Sequence, residues 1–504
     1  MKKVGIIGSG VGGLSVACRL AAKGFEVTVF EMNAYPGGKL SEATWSGYRF
    51  DLGPSLFTMP EVIDDIFHFA QKNPRDYYNY VSLPTITKYF FEDGTQFNSY
   101  ANKEIWLNEL QKKICANTLS INNFLKKSKF IYENTAHIFL ERSLHSPETY
   151  FRTKTLKSII NLPRLGLFRN MAQANRKTLN NPYLEQYFNR FATYNGSNPY
   201  SAPETLNLIA HIEHGKGAYF PIGGMYSITQ ALYKLALDLG VKFHFNQNVT
   251  QIHINKKNIT GLEAGKKYYP FDIVVSNADV FNTYQNLLKI KGPEKILNQE
   301  KSSSALIFYW GIKKQFKELH LHNIFFSKNY EKEFHALFNE KTIDSDPTIY
   351  INITSKMNPT DAPEGCENWF VMVNAPPNTN QNWEHLIKIT EQNIMKKLNR
   401  ILGIEIEKWI EVNENLAPPG IELKTGSYLG ALYGNSSNNR MAAFFRHPNF
   451  SYKINGLYFC GGTVHPGGGI PLAALSGKIT TDLILKKYKK NKKLTCKFGI
   501  KIAN

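Results

Sequence analysis

The sequence has few cysteines, and their positions exclude the usual cysteine-based sites. A chain of 504 residues holds only five, which are far apart and form no CxxC pair: Cys18, Cys115, Cys366, Cys460 and Cys496. An odd number at such spacings argues against a disulfide framework and against a metal cluster. We therefore expect a protein of a reducing compartment that binds no metal.

Long apolar runs are also missing. No stretch reaches the roughly 18 apolar residues that a membrane-spanning helix needs. A cleavable signal peptide is not expected, because Lys2 and Lys3 lead directly into a short apolar strand and a glycine turn that cleavage would remove. The sequence thus predicts a cytoplasmic protein that does not span a bilayer.

Acidic residues are too few to balance the basic ones. The chain has 60 Lys+Arg and 41 Asp+Glu, a formal net charge of +19. Lysines are scattered along the whole chain, so an unspecific basic surface is one explanation and attraction to an anionic membrane is the other. No RNA- or DNA-binding motif is present, so nucleic acid is not an expected partner. Hydrophobic residues make up 42%, which fits a globular protein of two or three domains.

A glycine-rich turn near the N-terminus is the first motif that carries chemistry. The sequence Gly-Ser-Gly-Val-Gly-Gly at 8–13 lies between a predicted strand at 4–7 and a predicted helix at 14–22. Gly8 permits the tight turn, Gly10 lets the backbone approach a pyrophosphate, and Gly13 lets the helix pack on the strand. A second strand is predicted at 27–30, and Glu31 at its end is placed to bond ribose hydroxyls. The pattern predicts an α/β fold with a Rossmann-like dinucleotide domain.

The glycine turn alone does not distinguish FAD from NAD, and Glu31 argues only against NADP. Two further turns follow, Pro-Gly-Gly-Lys-Leu at 36–40 and Asp-Leu-Gly-Pro-Ser at 51–55. A second glycine cluster, Gly-Gly-Thr-Val-His-Pro-Gly-Gly-Gly-Ile-Pro, occupies 461–471 near the C-terminus. Glycine doublets of this kind make room for a flat ring beside the backbone.

Together these motifs resemble the bacterial carotenoid desaturase family, within the flavin amine-oxidase superfamily. The segments quoted above occur in the family's order, and the stretches FPIGGM at 220–225 and DIVVSNAD at 272–279 extend the resemblance to nearly the whole chain. The histidine-containing C-terminal cluster is the most specific of them. The resemblance implies that the cofactor is FAD.

The resemblance also implies the cofactor contacts, residue by residue. Gly8, Gly10 and Gly13 would hold the pyrophosphate, Glu31 the ribose, and Val249 the adenine through its backbone. The remaining expected contacts lie toward the flavin: Gly38, Lys39, Gly53, Pro54, Ser55, Gly462, Gly468 and Ile470.

The implied reaction removes two hydrogens from adjacent saturated carbons of a long polyene. A hydride would pass to the flavin and a proton would leave the neighbouring carbon, with oxygen or a quinone reoxidising the cofactor. The segments at 53–60 and 73–76 resemble the 1-hydroxycarotenoid 3,4-desaturases more than the phytoene desaturases. Phytoene desaturation, carotenoid isomerisation and non-catalytic isoprenoid carriage remain alternatives, although the carriers lose the intact glycine turn that this chain keeps.

One residue is a candidate for acid–base chemistry. His465 belongs to a side-chain type that exchanges protons near neutral pH. The alternative is a loop histidine that fixes the turn by hydrogen bonding. His211 and His214 are expected to have structural roles, and Asp51 is expected to be a turn residue, with a position over the flavin as the alternative.

The predicted secondary structure changes along the chain. Residues 100–215 predict a mostly helical insertion, and 303–312 and 348–374 predict strands of a second sheet. We expect a discontinuous FAD-binding domain (1–100, 215–290 and 441–490), a substrate- and membrane-contacting domain (101–214 and 291–440) and a basic tail (491–504).

Within the insertion, the segment at 152–190 interleaves apolar residues with cations. Such a pattern is typical of a helix at a membrane surface. We therefore expect peripheral attachment to the cytoplasmic membrane, with ordinary packing inside the domain as the alternative.

Overall fold

The N-terminal strand lies at the centre of a five-stranded parallel sheet. The structure is a computed structural model that describes residues 2–497 except 153, 154, 156, 157, 159, 167, 168, 440 and 443. All neighbouring strands run parallel. Their spatial order is Leu457–Phe459, Ile273–Ser276, Lys3–Ile7, Glu26–Phe30 and Lys242–His244. Because this order joins the two ends of the chain to its middle, the cofactor domain is assembled from distant segments.

Each face of the parallel sheet has its own core, because successive side chains of a strand point to opposite sides. Val4 and Ile6 pack against the helices Val11–Ala21, Tyr226–Asp238 and Ile470–Lys497. Ile7 points the other way, toward a three-stranded antiparallel sheet. That sheet contains Val249–Asn255, Asn258–Ala264 and Lys267–Pro270. Coverage of both faces explains why the first strand is apolar throughout its buried part.

A seven-stranded sheet forms the second domain. Its order is Ile410–Leu416, Ser304–Ile312, Glu367–Ala375, Ile349–Ile353, His322–Phe325, Thr85–Phe90 and Gln96–Tyr100. One face packs on the helix Trp383–Leu402 through Ile351, Val371, Ile394 and Leu398. The other face is turned toward the cofactor domain and is called here the cavity face.

The region between the sheets is mainly helical, as the composition of 100–215 predicts. Asparagine side chains cap several of its helices by accepting hydrogen bonds from the first free N–H groups, for example Asn102 and Asn117. Further α-helices in the described part of the chain include Pro60–Phe69, Lys103–Ile114, Thr118–Phe139, Met171–Leu179, Pro182–Asn189, Leu208–His211, Val280–Asn282, Glu294–Leu297, Tyr330–His335 and Pro418–Thr425. Two-stranded sheets pair Glu42–Trp45 with Tyr48–Asp51 and Tyr80–Ser82 with Tyr219–Pro221.

The structure departs from the predicted ranges in two places. Strands Thr85–Phe90 and Gln96–Tyr100 belong to the seven-stranded sheet, because the first of them pairs in parallel with His322–Phe325. Residues 491–497, predicted as part of a basic tail, continue the helix Ile470–Lys497. Lysine and leucine are good helix formers, and no glycine or proline interrupts this run.

The predicted amphipathic segment is described only in part. Lys154, Leu156, Lys157, Ile159, Leu167 and Phe168 lie outside the described residues. Leu165 and Met171 are buried in the protein, whereas Ile160 is exposed. In the part of the chain that the structure describes, no helix has the length and apolar character to cross a membrane.

Candidate active site

One cavity of about 720 Å³ joins the glycine turn to the cavity face of the seven-stranded sheet. Every predicted cofactor contact except Gly13 lines it. These residues are Gly8, Gly10, Glu31, Gly38, Lys39, Gly53, Pro54, Ser55, Val249, Gly462, Gly468 and Ile470. The sequence motifs, although spread over the whole chain, therefore meet in one place.

The N-terminus of the helix Val11–Ala21 opens onto this cavity without a side-chain cap. Gly10 precedes the helix in an extended conformation and has no side chain that could cap it, and Gly10, Val11 and Gly12 line the cavity. Free N–H groups and the positive end of a helix dipole bind phosphate. This end of the cavity therefore fits the pyrophosphate of a dinucleotide.

Gly13 does not line the cavity and instead packs the helix against the glycine turn. A Cβ atom added there would lie 2.2 Å from the carbonyl oxygen of Gly8. Only glycine allows the helix to approach the preceding turn so closely, which is the packing role expected for the third glycine of the motif.

Glu31 lies at the end of the second strand and is buried. Its Oε2 accepts hydrogen bonds from the Ser9 N–H (2.9 Å) and the Ser9 hydroxyl (2.7 Å). Its Oε1 accepts from the Asn33 N–H (2.9 Å) and side-chain amide (3.1 Å). These bonds hold the carboxylate beside the glycine turn, where it can accept a hydrogen bond from a ribose hydroxyl.

Lys39 is partly buried where the two early turns meet. Its Nζ donates to the carbonyl oxygens of Leu432 (2.8 Å) and Ala431 (3.3 Å). Burial lowers the pKa of Lys39 to about 8, and the charge of Asp279 opposes that shift. A Cβ atom on Gly53 would lie 1.9 Å from the Lys39 carbonyl oxygen, so glycine is required for this contact. A cation held here is suited to stabilise an anionic reduced flavin.

His465 does not line the cavity. Its ring is buried, and its Nε2 donates to the carbonyl oxygen of Arg142 at 2.6 Å. Burial lowers the pKa of His465 to about 3. These contacts are those of a histidine that joins two loops, which is the alternative that the sequence left open.

Asp51 and His214 have the structural contacts that the sequence predicts. Asp51 accepts hydrogen bonds from the N–H groups of Met225 (2.9 Å) and Tyr226 (3.0 Å), at the start of a helix. The His214 ring stacks on Trp106 at 4.1 Å between centroids, and its Nε2 lies 2.7 Å from the Tyr187 hydroxyl.

The part of the cavity beside the seven-stranded sheet contains polar residues that sequence reasoning missed. Arg190 pairs with buried Glu213 at 3.3 Å, and the Tyr194 hydroxyl bonds to both side chains. His322 and Tyr350 project from adjacent strands of the cavity face. No local motif marks these residues, because they come from separate segments that only the fold brings together. For His322 and Tyr350, the available signal is a polar side chain at an inward position of a mostly buried strand.

The fold and the glycine turn define a dinucleotide-binding protein, and comparison with known proteins defines the family. Residues 11–301 match the family model described as "Flavin containing amine oxidoreductase". The chain belongs to this family and, within it, to the carotenoid desaturases. A flavin bound at a dinucleotide turn is FAD, so the protein is an FAD-dependent oxidoreductase, as the sequence predicts.

Two curated relatives support the placement. The chain is 52% identical over 485 residues to a 1-hydroxycarotenoid 3,4-desaturase from a Flavobacterium species, covering 96% of this chain and 99% of the relative. It is 33% identical over 490 residues to a 4,4'-diapolycopene oxygenase from a Methylomonas species, covering 96% and 98%.

Solved structures of low identity share the fold. An oxidoreductase from Methanosarcina mazei gives a TM-score of 0.63 at 16% identity, covering 95% of this chain and all of that chain. A putrescine oxidase variant gives 0.64 at 13% identity, covering 96% and 99%. These likenesses confirm the predicted α/β architecture.

Proposed function

We propose that this protein is a carotenoid desaturase that introduces the 3,4 double bond of a 1-hydroxycarotenoid. The observation that carries the proposal is the 52% identity to a 1-hydroxycarotenoid 3,4-desaturase along nearly the full length of both chains. The cavity agrees with such a substrate, since apolar side chains line the part beside the seven-stranded sheet: Ile307, Ile324, Phe370, Met372 and Leu416.

The protein's part in this reaction is alignment and exclusion of water. Bound FAD supplies the acceptor for a hydride from carbon. The apolar strands of the cavity face would hold one carbon–carbon bond of the polyene in a fixed place, and such positioning contributes a large share of a rate enhancement. An external oxidant, oxygen or a quinone, would return the cofactor to its oxidised form.

Product analysis tests the proposal. The flavin-loaded protein is incubated with membranes that contain phytoene, lycopene or a 1-hydroxycarotenoid, and the absorption spectrum and mass of each product are recorded. We expect loss of two hydrogens from the 1-hydroxycarotenoid alone. Conversion of phytoene to lycopene with no reaction of the hydroxylated substrate would contradict the proposal, and a purified protein without a flavin spectrum would favour a carrier.

We also propose that the protein attaches to the surface of an anionic cytoplasmic membrane, where carotenoids dissolve. Two loops expose large apolar side chains. They lie close together, since the ring of Phe444 contacts Phe139 at the end of a long helix (5.3 Å between centroids). The exposed set, called here the apolar loop surface, contains Tyr150, Phe151, Ile160, Met441, Phe444, Phe445 and Tyr452. Exposed cations Arg152, Arg164 and Arg169 lie in the same part of the chain. Apolar residues for lipid and cations for headgroups are the composition of a peripheral membrane surface.

Vesicle binding tests this attachment. Phe151 is 84% exposed and Ile160 78% exposed, so the double variant F151S/I160S should fold normally and bind anionic vesicles about 10-fold more weakly. The matched control L119S/L423S removes two other exposed apolar side chains and should bind as the original protein does. Sedimentation with vesicles at low and high salt provides the measurement. Equal binding by both variants would exclude the apolar loop surface as the contact.

A further inference from the structure

A hydrogen-bonded chain of three side chains connects the early Asp-Leu-Gly-Pro-Ser turn to the cavity face. The Ser55 hydroxyl lies 2.7 Å from the Tyr350 hydroxyl, which lies 2.7 Å from His322 Nδ1. The strand register places His322 opposite Asn352 and Ile324 opposite Tyr350. Since alternate residues share a face, His322 and Tyr350 both point into the cavity.

The neighbours of His322 determine which ring nitrogen carries the proton. The Asn352 side-chain amide nitrogen donates to the Leu321 carbonyl oxygen (3.1 Å) and lies 3.2 Å from His322 Nδ1. An amide N–H₂ group can only donate, so Nδ1 accepts. Burial lowers the pKa of His322 to about 3, with the charge of Arg190 acting in the same direction, so the ring is neutral. Its single proton therefore lies on Nε2.

Nε2 has no hydrogen-bond partner among the described residues, although the His322 side chain is only 1% exposed. A buried donor without an acceptor is costly and rare in folded proteins. The residue lines the cavity, so a ligand there can provide the acceptor. A pure hydrocarbon has no such atom, whereas an alcohol oxygen accepts a hydrogen bond.

We propose that the Nε2–H of His322 donates a hydrogen bond to the alcohol oxygen of the 1-hydroxycarotenoid and so selects the hydroxylated end of the substrate. This inference rests on the proposed function. In such a molecule one carbon separates the alcohol-bearing carbon from the bond to be oxidised. Anchoring the oxygen therefore fixes that bond in place. A protonated Nε2 has no lone pair to accept a proton, so the role of His322 is recognition.

A pair of substrates tests the proposal with the FAD-loaded protein: a 1-hydroxycarotenoid and the same polyene without its hydroxyl group. For H322L we expect kcat/KM to fall about 10- to 100-fold on the hydroxylated substrate and to change little on the other. H322Q, whose amide can also donate, should recover part of the loss. The matched control is H320L, because His320 lies two residues away and does not line the cavity, and it should leave both values unchanged.

The flavin content of the purified protein would reveal any misfolding of H322L. A second variant tests the same hydrogen bond independently of that outcome. Y350F keeps the ring but removes the hydroxyl that holds Nδ1. It should raise KM for the hydroxylated substrate several-fold more than KM for the other substrate.

Two results would overturn the inference in different ways. If the original protein oxidises the hydroxylated substrate but neither H322L nor Y350F changes its preference, His322 does not bind the alcohol. If the original protein does not oxidise any 1-hydroxycarotenoid, the proposed function itself fails, and the assignment of the alcohol fails with it.

Discussion

At the scale of single residues, burial sets the protonation of His322, His447 and His465. It lowers the pKa of His447 to about 4 and that of His322 and His465 to about 3. Each ring also has a hydrogen-bonding neighbour: Tyr284 for His447, Arg142 for His465 and Tyr350 for His322. All three are therefore neutral in the folded protein at ordinary pH.

These buried histidines predict loss of stability in acid. Their folded pKa values lie below the ordinary value of about 6.5, so the unfolded chain takes up protons first as the pH falls. The contribution of each neutral histidine to the free energy of unfolding is fully present above about pH 6.5. It should decrease by roughly 1 kcal/mol for each pH unit below that value, down to the folded pKa. Urea unfolding at pH 7.5 and 5.5 measures the effect.

A variant assigns part of this dependence to one residue. H465Q places an amide donor near the position of Nε2 for the Arg142 carbonyl oxygen but cannot titrate, so its unfolding free energy should depend less on pH by roughly 1 kcal/mol over that interval. Identical pH dependence in the variant and the original protein would contradict the account of His465.

At the scale of elements, the glycine turn shows why local patterns predict one part of the fold. The strand, turn, helix and second strand at the N-terminus follow one another in sequence, so apolar spacing and glycine positions are enough to predict them. Strand Thr85–Phe90 could not be assigned to its sheet in this way. Its partner, His322–Phe325, is more than two hundred residues distant, and nothing in either segment specifies a parallel pairing.

The packing of the first helix on its turn gives a direct prediction. In G13A the added Cβ would lie 2.2 Å from a backbone oxygen, so the helix must move away from the phosphate-binding turn. We expect FAD affinity to fall about 10-fold or more, together with a lower free energy of unfolding. Flavin fluorescence during titration with FAD provides the affinity.

G420A is the matched control for that change. Its new Cβ would meet only the tip of the flexible Leu416 side chain, at 2.9 Å, in another helix. It should bind FAD as the original protein does. Normal binding by G13A would contradict the packing role assigned to Gly13.

At the scale of the whole molecule, one cavity connects two domains. The cavity residues of one domain could be predicted from sequence motifs, whereas those of the other could not. The cofactor end is formed by contiguous glycine motifs, so resemblance to a family identified it from sequence. The part beside the seven-stranded sheet combines Arg190, His322 and Tyr350, which lie on different elements and have no shared motif, and Ser55 of the Asp-Leu-Gly-Pro-Ser turn joins it to the cofactor part. Their proximity depends on strand register and domain packing, which local patterns do not contain.

The central claim is that this FAD-dependent protein oxidises a carbon–carbon bond of a 1-hydroxycarotenoid. A single-turnover experiment without oxygen tests it most directly, by mixing the flavin-loaded protein with the substrate and following the flavin spectrum. We expect the flavin to be reduced in proportion to the 3,4-desaturated product. A flavin that stays oxidised, or one that is reduced equally well by phytoene, would contradict it.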